Sequence, residues 1–458
     1  MVEEYDVVVI GTGVAGSAIA SKCSENGMSV AIIDSRGYGG ECPQRGCVPK
    51  KVLVSGAKMI DWPVRMAGKG SPVNGKFTIK WNELIEFKRT FTEPVPENIE
   101  KWLSSLGIDT YKGHARFLDA YTLDVDRARF LEPYALDVDR AKVKGKYIVV
   151  ATGAKPVKLG IEGEEHMVTS EQFLELDKLP DEIVFVGGGF ISFEFAHVAA
   201  RAGAKVTILQ RTNRVLKGFD PGMVDILVKA TKGAGIDVIT EKEPVSIERS
   251  DKSYLVTSKD GDTFKCGLVV NGAGRMPATD NLGTDLAGIS TEKGRIIVNE
   301  YMQSISCDHI YAAGDVTGDF KQLTPTATHQ APIVATNIIQ GNVEVVDYTG
   351  IPSAVFTIPT LASVGIDETH VDKNKHKVVF NDKSTWHSTR YTNHTYSASK
   401  IIIDESTGLI AGAHLLGPGA EEVINLFAMA IRLKIPAEKL KTFPYLYPTV
   451  STDIRSML

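Results

Sequence analysis

Two stretches of this chain share one order of residue types: an apolar run, a glycine-rich turn, a helix-like run and a second apolar run. The first is YDVVVIGTGVAGSAIASKCSENGMSVAIID, with Gly11, Gly13 and Gly16 in G-x-G-x-x-G spacing directly after the apolar residues 7–10. In that spacing the first glycine permits a tight turn, the second lets a pyrophosphate approach the backbone, and the third lets helix and strand pack closely. The helix N-terminus then faces the phosphates. Asp34 lies 18 residues past Gly16 at the end of the next apolar run, where a carboxylate binds ribose hydroxyls. The second stretch, EIVFVGGGFISFEFAHVAARAGAKVTILQR, has Gly187 and Gly189 in place, with Ser192 at the third position. The same offset from Ser192 reaches Gln210, and Arg211 follows. A carboxylate there would repel a 2′-phosphate, whereas a neutral residue followed by arginine accepts one. The second site therefore reads as preferring NADPH, with NADH second; the competing reading of Arg211 is a solvated surface charge. Two such units make the fold α/β with two Rossmann-like dinucleotide-binding domains. They suggest two cofactors, one held and one exchanged.

Just after the first unit comes GGECPQRGCVPKK, residues 39–51, in which Cys42 and Cys47 flank Pro43 and Gly46. Five residues of straight α-helix rise about 7.5 Å, and a disulfide needs Cα atoms within about 6.8 Å. The two thiols cannot bridge inside a regular helix, but Pro43 and Gly46 favour a distorted first turn. The pair is then expected at a helix start, where the dipole favours thiolate. The alternative is two unrelated buried cysteines, each a small hydrophobe. Cys23, Cys266 and Cys307 are isolated, so no second ligand pair for zinc exists and no metal is expected. Five cysteines in 458 residues speak against a secreted disulfide scaffold and for a cytoplasmic protein with one special pair. A net charge of −5 argues against nucleic-acid or membrane-surface binding. No apolar run reaches about 18 residues, and MVEEYDVVVIG has no signal-peptide pattern. Two further segments, IVVATGAKP (148–156) and IYAAGDVTG (310–318), are strands running into glycine turns. The second would place Asp315 on a ribityl or phosphate group of a flavin nucleotide.

In their order, GTGVAG, GGECPQRGCVPKK, IVVATGAKP, GGGFISFEFA, NGAGRMP and IYAAGDVTG resemble the flavoprotein pyridine nucleotide-disulfide oxidoreductases, a family that includes glutathione reductase, dihydrolipoamide dehydrogenase and mercuric reductase. The resemblance covers nearly the whole chain. It implies FAD at the first site, with Thr152, Gly153 and Asp315 among its contacts, and a nicotinamide nucleotide at the second. It implies a Cys42–Cys47 redox disulfide, with Cys47 against the flavin and Cys42 attacking substrate. Lys50, or else Lys51, would sit near the flavin N5 paired with Glu194. Arg211 and Lys217 would grip the 2′-phosphate, and Arg275 of NGAGRMP would also contact cofactor. The implied protein is a cytoplasmic homodimer that passes electrons from NADPH through FAD to the disulfide and on to a small disulfide or similar acceptor.

The tail departs from the family pattern. A His-Pro-Thr segment with a following glutamate reaches across the dimer in the family, the histidine serving as acid/base for the thiols. Here the segment is LYPTVSTDIRSML, with Tyr447 in the histidine's place, Thr452 in the glutamate's, and Asp453 one position late. Histidine titrates near 6.5 and tyrosine near 10, so Tyr447 is expected to donate a hydrogen bond and to be a poor base. His329 in LTPTATHQAP and the remaining histidines read as structural. Ser21 stands where glutathione reductases carry an arginine for a substrate carboxylate, which lowers the case for glutathione. No cysteine pair lies near the C-terminus, which argues against mercuric reduction in its usual form. The rival functions are a quinone, oxygen or metal-ion reductase that bypasses thiol interchange, and a redox sensor.

By the same resemblance, residues 1–155 and 274–345 would form the FAD-binding domain, 156–273 the NAD(P)H-binding domain and 346–458 an α+β dimerisation domain. A tandem repeat interrupts the first part. ARFLDAYTLDVDR (115–127) is followed at once by ARFLEPYALDVDR (128–140). Two short units make no solenoid, and the alternating LDVD pieces predict a duplicated surface strand that extends a hairpin.

Overall fold

The computed structural model describes residues 2–72, 77–132, 135–318 and 322–458. By packing, the chain divides into two compact units. One comprises Met1–Pro49, Arg89–Val157 and Arg275–Tyr348; the other comprises Lys50–Lys88, Lys158–Gly274 and Thr349–Leu458.

The first unit is built on β1 (Val2–Ile10), α1 (Val14–Glu25) and β2 (Val30–Asp34). Strand β1 pairs in parallel with β2 on one side and with the end of the long strand Ala135–Val150 on the other. Asp109–Lys112 and Ile310–Ala312 extend the parallel sheet at its two edges. Val7, Val8 and Val9 are all fully buried, because helices and loops cover both faces of a parallel sheet and its strands are apolar throughout. Alternate residues serve opposite layers. Val7, Val9 and Ile32 pack with Ile19 of α1 and Val334 of helix Thr324–Gln340. Val8, Ile10 and Ile33 pack with Phe117, Leu123 and Val125.

Those last three residues belong to the tandem repeat. Strand His114–Phe117 pairs antiparallel with Thr122–Glu132, which pairs antiparallel with Ala135–Val150. In the first copy Ala115, Arg116 and Phe117 lie opposite Val125, Asp124 and Leu123. In the second, Ala128, Arg129 and Phe130 lie opposite Val138, Asp137 and Leu136. Each copy thus forms the same hairpin in the same register, and Thr122–Glu132 is the outgoing strand of one and the incoming strand of the next. The expected hairpin extension is present; its turn, positions 133 and 134, lies outside the described residues.

The second unit holds a four-stranded parallel sheet in the order Ile236–Thr240, Lys205–Gln210, Glu182–Val186, Leu268–Asn271. Helix Phe190–Arg201 follows Glu182–Val186 through the second glycine turn. The same unit contains a five-stranded antiparallel sheet, Ser353–Val355, Thr360–Gly365, Ile410–Gly417, Ala398–Asp404 and His376–Asp382. Helix Ala420–Arg432 lays Val423, Ile424 and Phe427 on it, the spacing of a one-sided apolar stripe. Among the described residues no helix is long and apolar enough to cross a membrane.

Candidate redox and nucleotide sites

In the first unit, Gly40 (φ 70°) precedes the short helix α2 (Glu41–Arg45), Gly46 leaves helical geometry at φ −136°, ψ −105°, and α3 (Cys47–Arg65) begins. The distorted turn expected from Pro43 and Gly46 is therefore a complete break between two helices, with Cys42 near the start of one and Cys47 at the start of the other. A Cβ on Gly40 would stand 2.4 Å from the Gly13 Cα, so this segment packs directly on the first dinucleotide turn. Buried Gln44 fastens it there, its Nε2 within 2.8–3.0 Å of the carbonyl oxygens of Gly37, Tyr38 and Gly40. Arg275 pairs with the Glu41 carboxylate and donates to Ala154 O at 2.5 Å, bracing the residue before Cys42.

Both cysteines are free thiols rather than a disulfide. A hydrogen bond from Cys47 is the largest influence on Cys42 and, with burial, pushes its thiol well above the ordinary range. That corrects the expectation that the dipole at a helix start favours thiolate: at Cys42 the hydrogen bond with Cys47 and burial outweigh the dipole of a one-turn helix. Thr324 Oγ1 lies 3.3 Å from Cys47 Sγ and also hydrogen-bonds Cys42, opposing that upward push. Thr324 sits in the segment quoted for His329 and escaped the sequence reading, because nothing local ties it to cysteines some 280 residues earlier. His329 Nε2 is 2.8 Å from the Asp347 carbonyl oxygen.

The cradle for a first nucleotide fits FAD. A Cβ on Gly11 would meet Ala151 O at 2.3 Å and one on Gly16 would meet Gly11 O at 1.9 Å, while nothing lies within 4 Å of a Cβ on Gly13 or Gly153. Helix α1 has no side-chain cap at Gly13, leaving its first N–H groups for an anion. Asp34 Oδ2 accepts from Thr12 N at 2.9 Å and Thr12 Oγ1 at 2.6 Å, which fixes the carboxylate beside the turn. Thr152 Oγ1 and Arg275 Nη1 are buried with no hydrogen-bond partner, which polar groups of a ligand would satisfy. Burial pushes the Asp315 carboxyl up, and the Arg275 charge partly opposes it. Ser21 donates to Glu25 at 2.8 Å on the same helix.

In the second unit Gln210 Oε1 accepts from Gly188 N at 2.8 Å, occupying the slot that Asp34 takes against Thr12. The two turns share one design and differ in charge. Ser192, at the third glycine position, is buried with its hydroxyl unpartnered. It is accommodated by Gly272, where a Cβ would stand 2.0 Å from Ser192 Oγ. A Cβ on Gly187 would fall 2.5 Å from Ala273 Cα, and the helix after Gly189 likewise lacks a side-chain cap. Arg211 and Lys217 are exposed on the loop after Gln210. Arg214, which the sequence reading passed over, is exposed beside them.

Lys50 Nζ is 2.9 Å from Glu194 Oε1, with side chains 12 % and 4 % exposed. Glu194 Oε1 also accepts from Phe356 N at 2.8 Å, and the Phe356 ring lies 3.9 Å under the Lys50 ammonium. Lys51 also lies over that ring, at 4.2 Å, but it is Lys50 that meets the carboxylate. In the tail Tyr447 is 74 % exposed. Thr452 Oγ1 donates to Leu446 O at 3.0 Å. Asp453 forms a buried pair with Lys383 at 2.9 Å and accepts from Ser388 Oγ at 2.5 Å. His414 is buried between Ser363 and the Ile366 carbonyl. Among the described residues no cluster could hold a metal ion.

Residues 5–331 match the pyridine nucleotide-disulphide oxidoreductase family and residues 351–458 its dimerisation domain. The chain is 31 % identical to trypanothione reductase of Trypanosoma congolense, over all of this chain and 96 % of that protein. It is 29 % identical to glutathione reductase of Burkholderia cepacia, over 98 % and 97 %. Among solved structures, the Cu(II) complex of the HOCl-induced flavoprotein disulfide reductase RclA from Escherichia coli superposes with a TM-score of 0.87 at 27 % identity, covering 99 % of each chain.

Proposed function

Because the chain belongs to the pyridine nucleotide-disulphide oxidoreductase family, and is with it a flavin-dependent enzyme driven by NAD(P)H, we propose that it spends NADPH on reducing a small disulfide through Cys42 and Cys47. FAD would lie at Gly11, Gly13, Gly16, Asp34, Thr152, Gly153 and Asp315, in a domain of residues 1–155 and 274–345. NADPH rather than NADH would lie at Gly187 and Gly189 in residues 156–273, its 2′-phosphate met by Arg211 and Lys217. Residues 346–458 would pair two subunits. The bound flavin supplies the two-electron exchange with nicotinamide that thiols alone cannot perform. The hydrogen-bonded thiols on either side of the Gly46 break carry this reading.

Cys42, giving up its proton, attacks one sulfur of the acceptor disulfide and the other sulfur leaves as a thiol. Cys47 then attacks Cys42, forming the Cys42–Cys47 bond and releasing the second thiol. One disulfide is reduced and one formed, so electrons balance. Glu194 holds Lys50 as a buried positive charge, and Tyr447 of the other subunit would donate a hydrogen bond to the departing sulfur. An anaerobic NADPH titration tests this. Wild type should gain two thiols per chain and long-wavelength thiolate–flavin absorbance, and Cys47→Ser should show neither. A wild-type protein without the band refutes it.

A second reading, a metal-ion acceptor, is favoured by the missing tail histidine together with the Cu(II) complex of the related structure. Cu(II) reduction that persists in Cys42→Ser, with no disulfide turnover in wild type, would select it.

A further inference from the structure

The tail tyrosine does not stand alone. Tyr447 and His387 line the same pocket of about 150 Å³, together with Tyr391, Ser388 and Asp453. His387 is exposed and opens the short helix His387–Arg390, while Tyr447 precedes the helical turn Val450–Asp453. Two contacts of one carboxylate lock these walls together: Asp453 accepts from Ser388, the residue after His387, and pairs with Lys383. Lys383 and Asp453 are 6 % and 13 % exposed, and a paired buried charge holds its geometry because breaking it would strand the other. The histidine and the tyrosine are thus presented to one space by a fixed frame.

On this frame we infer that His387 exchanges protons with the Tyr447 hydroxyl and so supplies the acid/base capacity that a lone tyrosine lacks. The inference rests on the proposed role of Tyr447. His387 touches neither sulfur nor acceptor and acts through the phenol. During acceptor reduction the departing thiolate takes the phenolic proton, the phenolate takes one from His387, and His387 recovers one from water. A proton passes from solvent to product thiol and no electron moves. Among the described residues, the titratable side chains that line this pocket with His387 are Tyr391, with ring centroids 5.7 Å apart, Tyr447 and Asp453, which pairs with Lys383; Arg390 closes the helix that His387 opens. Arg455 is directed to the Phe443 carbonyl at 2.9 Å.

The test uses two disulfide probes on the NADPH-reduced holoenzyme, mixed anaerobically in a stopped flow. Bis(2-hydroxyethyl) disulfide releases a basic alkyl thiolate that needs a proton; 5,5′-dithiobis(2-nitrobenzoate) releases a weakly basic aryl thiolate that does not. His387→Gln should slow reoxidation by the alkyl probe about tenfold or more near pH 7 and leave the aryl probe unaffected. The double variant with Tyr447→Phe should be no slower than Tyr447→Phe alone. Equal slowing on both probes would mark His387 as structural and overturn the inference. A wild-type rate in His387→Gln alongside a slow Tyr447→Phe overturns it while leaving the tail reading intact. A wild-type rate in Tyr447→Phe on the alkyl probe removes the tail reading and the inference with it.

Discussion

The buried Lys50–Glu194 pair offers a quantitative test of how this chain holds a positive charge in its interior. Removing one member of a buried pair costs about 3–5 kcal/mol, mainly because the other is left charged and unpaired. Both orphans here keep some compensation, which places each single loss near the lower end. In Lys50→Met the Glu194 carboxylate retains the Phe356 N–H at 2.8 Å. In Glu194→Gln the Lys50 ammonium retains the Phe356 ring at 3.9 Å, worth about 0.5–2 kcal/mol. The double variant Lys50→Met/Glu194→Gln strands no charge and keeps the Phe356 contact through the amide oxygen, so it should lie within about 1 kcal/mol of wild type. With an unfolding entropy of about 2.1 cal/mol/K per residue, 458 residues give roughly 1 °C per kcal/mol if the chain melts as one. Each single variant should melt about 3 °C low and the double within about 1 °C of wild type. Differential scanning calorimetry of the holoenzyme reads these shifts. A double variant about 6 °C low, the sum of the singles, would show that the two groups do not sense each other and would refute the argument.

Other consequences follow from the same geometry. Deleting residues 128–140 should leave a folded enzyme with activity within about twofold, because the pairs from Thr122–Lys144 to Val125–Ala141 remain and Asp126-Arg127 closes the hairpin. The deletion removes the pairs from Asp126–Arg140 to Phe130–Leu136 and leaves Asp-Arg, a poor two-residue turn, so calorimetry should find a modestly lower Tm. Gln210→Glu keeps the acceptor for Gly188 N but sets a carboxylate against a 2′-phosphate. The KM for NADPH should rise about tenfold or more while that for NADH changes little, in steady-state assays with either nucleotide. Burial, then the Arg65 charge, holds the His394 imidazole down to about 4. The unfolded chain, titrating near 6.5, then binds a proton that the folded chain refuses, so stability should fall as pH drops from about 6.5 to 4. His394→Asn should remove up to about 3 kcal/mol of that fall, seen as a flatter plot of Tm against pH.

What the sequence disclosed was local. Gly11, Gly13 and Gly16 announce themselves because a turn, an approach and a packing contact each demand a glycine at fixed spacing, and the offset to Asp34 or Gln210 is set by one helix and one strand. Lys50 and its partner Glu194 both came from the family resemblance, which left Lys51 open as the other choice. Residues whose work depends on distant partners stayed hidden. Gln44 reads as an ordinary polar side chain until its amide is seen among three carbonyl oxygens, and Thr324 until its hydroxyl is seen between two sulfurs. Asp453 looked one position late for an acid/base role; its carboxylate serves Lys383 and Ser388 instead. The protonation of Cys42 was misjudged because helix dipoles are visible in a sequence and a hydrogen bond between two thiols is not.

The duplicated segment is thirteen residues long, and in a β-strand that odd number acts as a frameshift does in a gene. Side chains alternate between two faces, so an even insertion repeats the pattern in phase, whereas an odd one inverts it. In the first copy Phe117, Leu123 and Val125 fall on the face that meets the core. Backbone pairing nonetheless runs on in one register from Thr122–Lys144 to Phe130–Leu136. The ribbon could therefore take up a whole extra copy without moving the pairs that serve the core, as a zip lengthened at its open end leaves the closed teeth where they were.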